Sequence, residues 1–208
     1  MPQTQNVTAI VTKADDYREN DRIIRLFTME GGMMRATVRG VKKHGAKLKF
    51  CAQPFALCSY ELARRGEYYT VVGASQIESL FDITFDPVRY AVGCILLEAS
   101  DVAVDEIPNP RLFVKLLKTL KALVYGGNND PYLIGAKYMI AALDEQGYGS
   151  AYEGSGKTEK LLHTLRANTL DKVGEISVEK AASLAALKAV ARSVEYHFDR
   201  RLFSLLSL

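Results

Sequence analysis

The sequence predicts an α+β chain in which strands come first and helices follow. Three observations carry that prediction. Up to about residue 80, short β-branched and aromatic runs are punctuated by turn residues, and one of them alternates with the two-residue period of a strand. From Asp86-Pro87 onward apolar residues recur at helical spacing between cap and stop signals. The 208 residues suffice for one large domain or two small ones with cores of their own. The expected division is residues 1–80 and 81–208; no Gly/Ser- or Pro-rich linker lies between Leu80 and Asp86, so the two parts are expected to pack together.

The first strand is expected over Val7–Lys13 and the second over Asp21–Thr28, where Ile23, Ile24, Leu26 and Phe27 cluster. Glu30-Gly31-Gly32 reads as a hairpin turn, because glycine adopts the positive φ that such turns need. Met33–Gly40 alternates, with Met34, Ala36 and Val38 on one face and Arg35, Thr37 and Arg39 on the other. A basic loop follows from Val41 to Phe50. A fourth strand begins at Phe55 and ends in Arg64-Arg65-Gly66-Glu67, and a fifth runs from Tyr68 to about Leu80. Five short antiparallel strands with a basic face fit a closed barrel of the oligonucleotide-binding (OB) type.

In the second part, Asp86 caps a helix entered through Pro87 and lined by Val92, Ile95, Leu96 and Ala99, ending near Val104. Asn109-Pro110 opens a helix that stops at Gly126-Gly127, and Asp130-Pro131 opens one that stops near Gly147. A shorter helix is expected over Lys157–Leu170. A long one starts at Ser177 and runs through Leu184, Leu187, Val190 and Val194.

Composition sets several classes aside. With 48% hydrophobic and 25% charged residues the chain is neither disordered nor fibrous. Its longest apolar run, Tyr90–Leu97, is too short to cross a bilayer, and residues 1–15 lack the pattern of a secretory signal. A cytoplasmic address is expected. Cys51, Cys58 and Cys94 form no CxxC, which argues against a disulfide framework and a structural zinc site; they read as small buried hydrophobes. His44, His163 and His197 have no spacing to Cys or carboxylates that makes a metal site or triad, so no enzyme activity, metal or cofactor is expected.

The charge is uneven. Residues 1–80 hold 12 Lys/Arg against 8 Asp/Glu, net +4, and residues 81–208 hold 15 against 16, net −1. From Gly31 to Tyr60 no acidic residue occurs, yet Arg35, Arg39, Lys42, Lys43, Lys47 and Lys49 do. Six cations without local acidic partners attract a polyanion; a merely solvated face is the bland alternative. Arg22, Arg25, Arg64 and Arg65 are weaker candidates for phosphate contact. Tyr17, Tyr68 and Tyr69 offer rings for base stacking, although tyrosines are commonly core or rim residues. Glu19, Asp21 and Glu30 are expected to pair with Arg18, Arg22 and Arg25.

Two further constellations compete with these. Ala151–Thr158, AYEGSGKT, imitates a phosphate-binding loop in which Lys157 and Thr158 would hold phosphate and magnesium, the basis of an alternative nucleotide-dependent enzyme. Such a loop follows a buried strand, whereas amphipathic helix precedes this one, so a Gly/Ser connection is the better account. On the second helix Arg111, Lys115, Lys118 and Lys121 fall within about 120° of one another, opposite Leu112, Leu116, Leu120 and Leu123. That ridge is either an ordinary solvated face or a dock for an acidic peptide or more nucleic acid.

Several segments in order resemble one family. Thr8-Ala9-Ile10-Val11, Asp21-Arg22-Ile23, the Gly31-Gly32 turn, Arg39-Gly40-Val41-Lys42-Lys43 and Gln53-Pro54-Phe55 look like the N-terminal domain of the RecO recombination mediators. Glu195-Tyr196-His197-Phe198-Asp199-Arg200-Arg201-Leu202 resembles the same family's ending. The resemblance implies a nucleoid-associated protein that binds single- and double-stranded DNA, anneals complementary strands, and works with RecR to load RecA onto SSB-coated DNA. It also implies that the Arg111, Lys115, Lys118 and Lys121 ridge is a candidate receiver for the acidic SSB tail. Many members carry a four-cysteine zinc module after the third helix; around Tyr148–Lys157 this chain has no cysteine, so zinc is not carried over. An RNA-binding barrel is the remaining alternative, since phosphates are common to both polymers.

Overall fold

The computed structural model describes residues 4–66, 68–149 and 156–208. Five strands, β1 (Thr4–Tyr17), β2 (Asp21–Thr28), β3 (Gly32–Val38), β4 (Ala56–Arg65) and β5 (Tyr68–Ser79), close into a barrel in the order β1-β2-β3-β5-β4. The length of β1 makes closure possible. Its first half, Thr4–Ile10, pairs antiparallel with Leu57–Ala63 of β4, and its second half pairs with β2 up to Tyr17↔Asp21. A register shift between Val11 and Lys13 bends the strand between its two partners. The last seam is a short parallel pairing of β3 with β5, Ala36↔Tyr69 and Thr37↔Thr70.

Alternation fills the barrel. Val7, Ala9 and Val11 of β1 meet Ile24 and Leu26 of β2, Val38 of β3 and Leu62 of β4 in one buried cluster. Tyr60 enters the same cluster, and its hydroxyl donates to the Cys51 carbonyl at 2.8 Å, so the buried phenol keeps a partner. Burial pushes the neighbouring Cys51 thiol up to about 12, leaving it protonated and inert at neutral pH. Cys58 is buried too, whereas Cys94 is only half-buried, less enclosed than the sequence suggested. The β2–β3 turn is held by Thr28, whose hydroxyl donates to the Gly32 carbonyl and accepts from the Gly31 N–H, each at 2.9 Å. Of the two turn glycines only Gly32 has a positive φ, +69°.

The chain divides into two compact units, Met1–Phe81 with Val104–Phe113, and Asp82–Ala103 with Val114–Leu208. In the first unit Met33 N–H donates to the Asp105 carbonyl at 2.8 Å, and Phe113 meets Phe27 edge-on at 5.4 Å. The helices are α1 (Pro87–Ala103), α2 (Pro110–Tyr125), α3 (Pro131–Glu145), α4 (Lys157–Ala167) and α5 (Lys180–Phe198). The cap signals act as expected: Asp86 accepts from the Val88 and Arg89 N–H groups, Asn109 from Leu112 and Asp130 from Tyr132. In the second unit α3 packs against α1, α4 and α5. Gly135 lets these helices approach, because a Cβ there would lie 2.7 Å from Val92 Cγ1 and 2.9 Å from Leu187 Cδ1.

The largest boundary differences fall in three places. β1 extends beyond Val7–Lys13 at both ends, since its polar ends are held by ladder pairing rather than by propensity. The helix expected to reach Leu170 stops at Ala167, and Leu170–Glu175 forms a tighter 3-10 turn. The final helix starts at Lys180 rather than Ser177: the Glu179 carbonyl, not a serine side chain, takes the first N–H groups, from Ala182 and Ser183.

Candidate nucleic-acid interface

In OB barrels the β2–β3 face and the β1–β2 and β4–β5 loops form the surface that receives a strand. Here that position holds a groove of about 440 Å³. Tyr17 from the end of β1 and Tyr68 and Tyr69 from the start of β5 stand along it, while Arg18, Arg35, Arg39 and Arg65 edge it. Tyr68 is 74% exposed and Tyr17 38%, so both rings present apolar surface that no core packing uses. Arg18 lies over the Tyr17 ring at 5.1 Å, a cation–π contact that orients both. A shallower groove of about 420 Å³ adds Lys43 beside Arg18 and Arg39. The chain conformation explains the convergence: the turns that reverse β1 and β4 bring Arg18 and Arg65 beside strand residues Arg35 and Tyr69.

Two of the carboxylates near these cations, Asp21 and Glu30, are engaged with backbone, while Glu19 lines the shallower groove beside Arg18, Arg39 and Lys43. Asp21 accepts the Gly40 N–H at 2.8 Å, and both oxygens of Glu30 accept the Thr8 N–H at 2.9 and 3.1 Å. The expected pairing of Asp21 and Glu30 with arginines is therefore replaced by turn-fixing hydrogen bonds. Arg22 binds Asp16 at 3.0 Å and the Ala52 carbonyl at 3.2 Å.

Lys42 is likewise not an unpaired cation: its Nζ lies 2.8 Å from the other Asp16 oxygen. The acidic-free stretch Gly31–Tyr60 concealed this, because the carboxylate comes from β1 by way of strand pairing. The Lys42 and Arg22 hydrogen bonds hold the Asp16 carboxyl below its ordinary range.

The remaining cations are distributed more widely. Arg25 lies directly across from Arg35 in the β2–β3 register. Arg64 lies over the Tyr69 ring at 6.0 Å and borders a neighbouring groove. Lys47 and Lys49 are exposed on the loop and its 3-10 turn, away from the grooves just described. Arg18 was not among the sequence candidates for phosphate contact. The available signal was its place in the first turn of a predicted OB barrel.

On α2, Leu112, Leu116, Leu120 and Leu123 are fully buried, and Arg111 and Lys118 are exposed. Lys115 departs from the expected open ridge, for its Nζ is bound to Glu145 at 2.5 Å. Of the phosphate-loop imitation, residues 151–155 lie outside the described residues; Lys157 and Thr158 open α4, and α3 is the preceding regular element. Among the described residues no group of three His, Cys, Asp or Glu side chains could hold a metal ion, and no helix is long and apolar enough to cross a membrane.

Strand order, barrel closure and the aromatic, arginine-edged groove define an OB-fold protein with a helical second unit. Residues 1–80 match the family model for the N-terminal domain of recombination protein O, so the barrel is similar to the N-terminal domain of the RecO family. Relatives of the chain include the DNA repair protein RecO of Nocardioides sp., 28% identical over 169 residues covering 80% of this chain and 65% of that one. That of Syntrophomonas wolfei is 34% identical over 61% of this chain and 50% of its own length. That of Thermobifida fusca is 31% identical over 69% and 60%. The chain thus spans between half and two thirds of these relatives.

Proposed function

We propose that the chain is a DNA-binding recombination mediator acting in DNA repair. The observation that carries the reading is the groove on the β2–β3 face, lined together by Tyr17, Tyr68 and Tyr69 and by Arg18, Arg35, Arg39 and Arg65. Those residue types in a strand-sized groove suit single-stranded nucleic acid, with arginines against phosphates and rings against bases. The relatives' name, DNA repair protein RecO, favours DNA over RNA. Arg35, Arg39, Lys43 and Arg65, with Arg18, make the principal phosphate contacts; Lys42, Lys47, Lys49, Arg22, Arg25 and Arg64 form the outer field.

Two complementary strands repel through their phosphates. A cationic surface that neutralises several of them lowers that cost without reading sequence, so annealing proceeds without nucleotide hydrolysis and base pairing drives it. Duplex DNA binds to the same field through its backbone. With RecR the protein loads RecA onto SSB-coated DNA. The exposed Arg111 and Lys118 on α2 receive the acidic SSB tail, while Lys115 is bound to Glu145.

Fluorescence anisotropy with a labelled single strand, titrated across salt, tests the core of this reading. Five groove cations in contact give a log-log slope of about −3.5 at roughly −0.7 each. Arg35→Glu/Arg39→Glu is expected to weaken binding and slow annealing of complementary strands with no nucleotide present. Unchanged affinity and slope in that variant overturn the assignment.

A further inference from the structure

The barrel carries a second groove, of about 720 Å³, that shares Arg35, Tyr68 and Tyr69 with the first. The two differ in charge. Arg18, Arg35, Arg39 and Arg65 face a single carboxylate, Asp21, in the first groove, four positive charges against one negative. In the second, Arg35 and Arg64 are matched by Glu30 and Glu106, two against two. The rest of its lining is uncharged: Gln5, Asn6, Val7, Met33 and Met34, with the two tyrosines. A phosphate gains no net attraction there.

A single nucleic-acid strand has the same division in cross-section, with charged phosphates along one edge and flat, uncharged bases along the other. We infer that the second groove is a base-accepting subsite, into which unpaired nucleobases turn across the Tyr68–Tyr69 ridge while their phosphates follow the arginines of the first groove. The inference rests on the DNA-binding reading and adds a polarity to it. Tyr68, 74% exposed on that ridge, offers the stacking face. Gln5 and Asn6 are exposed, and each amide both donates and accepts, so either adapts to the edge of any base. Met34, half-buried within 3.9 Å of the Gln5 amide nitrogen, supplies a deformable apolar floor. The subsite is therefore tolerant of sequence.

The test compares a thymidine oligonucleotide with an abasic strand of the same length and phosphate count, using wild type, Gln5→Ala/Asn6→Ala and Tyr68→Ala. Wild type is expected to prefer the base-bearing strand by about tenfold or more, the range that stacking of one base provides. Both variants are expected to reduce that preference at least about threefold, with affinity for the abasic strand and the salt slope unchanged. Equal binding of the two strands by wild type overturns the subsite and leaves phosphate binding standing. Loss of preference in Tyr68→Ala but not in Gln5→Ala/Asn6→Ala also overturns it, because bases then stack in the first groove. Binding of neither strand overturns the DNA-binding reading itself. The substituted side chains are exposed, and thermal melts verify that the fold is kept.

Discussion

Gly32 is the position where the barrel tolerates least. Its φ of +69° is a conformation that side chains disfavour, and a Cβ there would collide with the Ile107 and Asp105 carbonyls. Backbone cannot rotate aside as a long side chain does. Left-handed strain and overpacking together predict that Gly32→Ala destabilises the protein by about 2–5 kcal/mol, read by urea unfolding. Asp16 is different in kind, since it is exposed and acts through charge. Because its two cations lower the carboxyl pKa in the folded chain, its contribution to stability is present above the unfolded value of about 4 and is lost as pH falls through the lower folded value. Asp16→Asn should remove that acid limb from the stability–pH curve. It also releases Lys42 to the solvent side of the barrel, so the same variant should bind single-stranded DNA somewhat more tightly. Weaker binding would show that Asp16 positions Lys42 for a phosphate instead of competing with it.

Helix α2 carries a clear contrast between neighbouring lysines. Lys115 faces Glu145, a carboxylate only 19% exposed, while Lys118 is exposed one turn away. Lys115→Glu places like charges together and should cost about 1–2 kcal/mol, whereas Lys118→Glu should stay within about 0.5 kcal/mol. Urea midpoints measure both, and the outcome makes Lys118 the sound position for probing an acidic peptide. Helices of this kind were readable from sequence because their signals are local: Asp86, Asn109 and Asp130 each precede a proline or lie within one turn of the N–H groups they cap. Strand β1 was readable only in its middle. Thr4–Asn6 and Ala14–Tyr17 are strand because β4 and β2 pair with them, and no local preference announces that. The same non-local pairing hid the Asp16–Lys42 contact and brought Arg18 beside Arg35 and Arg39. At Ser177 a local signal misled, since the residues after the 3-10 turn stay extended until Lys180.

The charge of the chain, +4 in residues 1–80 and −1 beyond, locates the basic character without saying whether it is a diffuse patch or a track. The barrel separates those possibilities. Arg35 and Arg39 edge the groove, whereas Lys47 and Lys49 stand on the loop outside it, yet each pair contributes the same formal charge. A diffuse field responds to total charge, so neutralising either pair would weaken binding alike. A track responds to contact, because only counterions displaced at touched phosphates enter the salt dependence. Arg35→Gln/Arg39→Gln is therefore expected to flatten the log-log salt slope for single-stranded DNA by about 1.4, two contacts at roughly 0.7 each, and Lys47→Gln/Lys49→Gln by less than about half of that. Lys118→Gln on α2 should leave the slope unchanged. Equal flattening by the groove and loop pairs would mean that the phosphates follow the whole basic face, and the groove would then hold bases without directing the backbone.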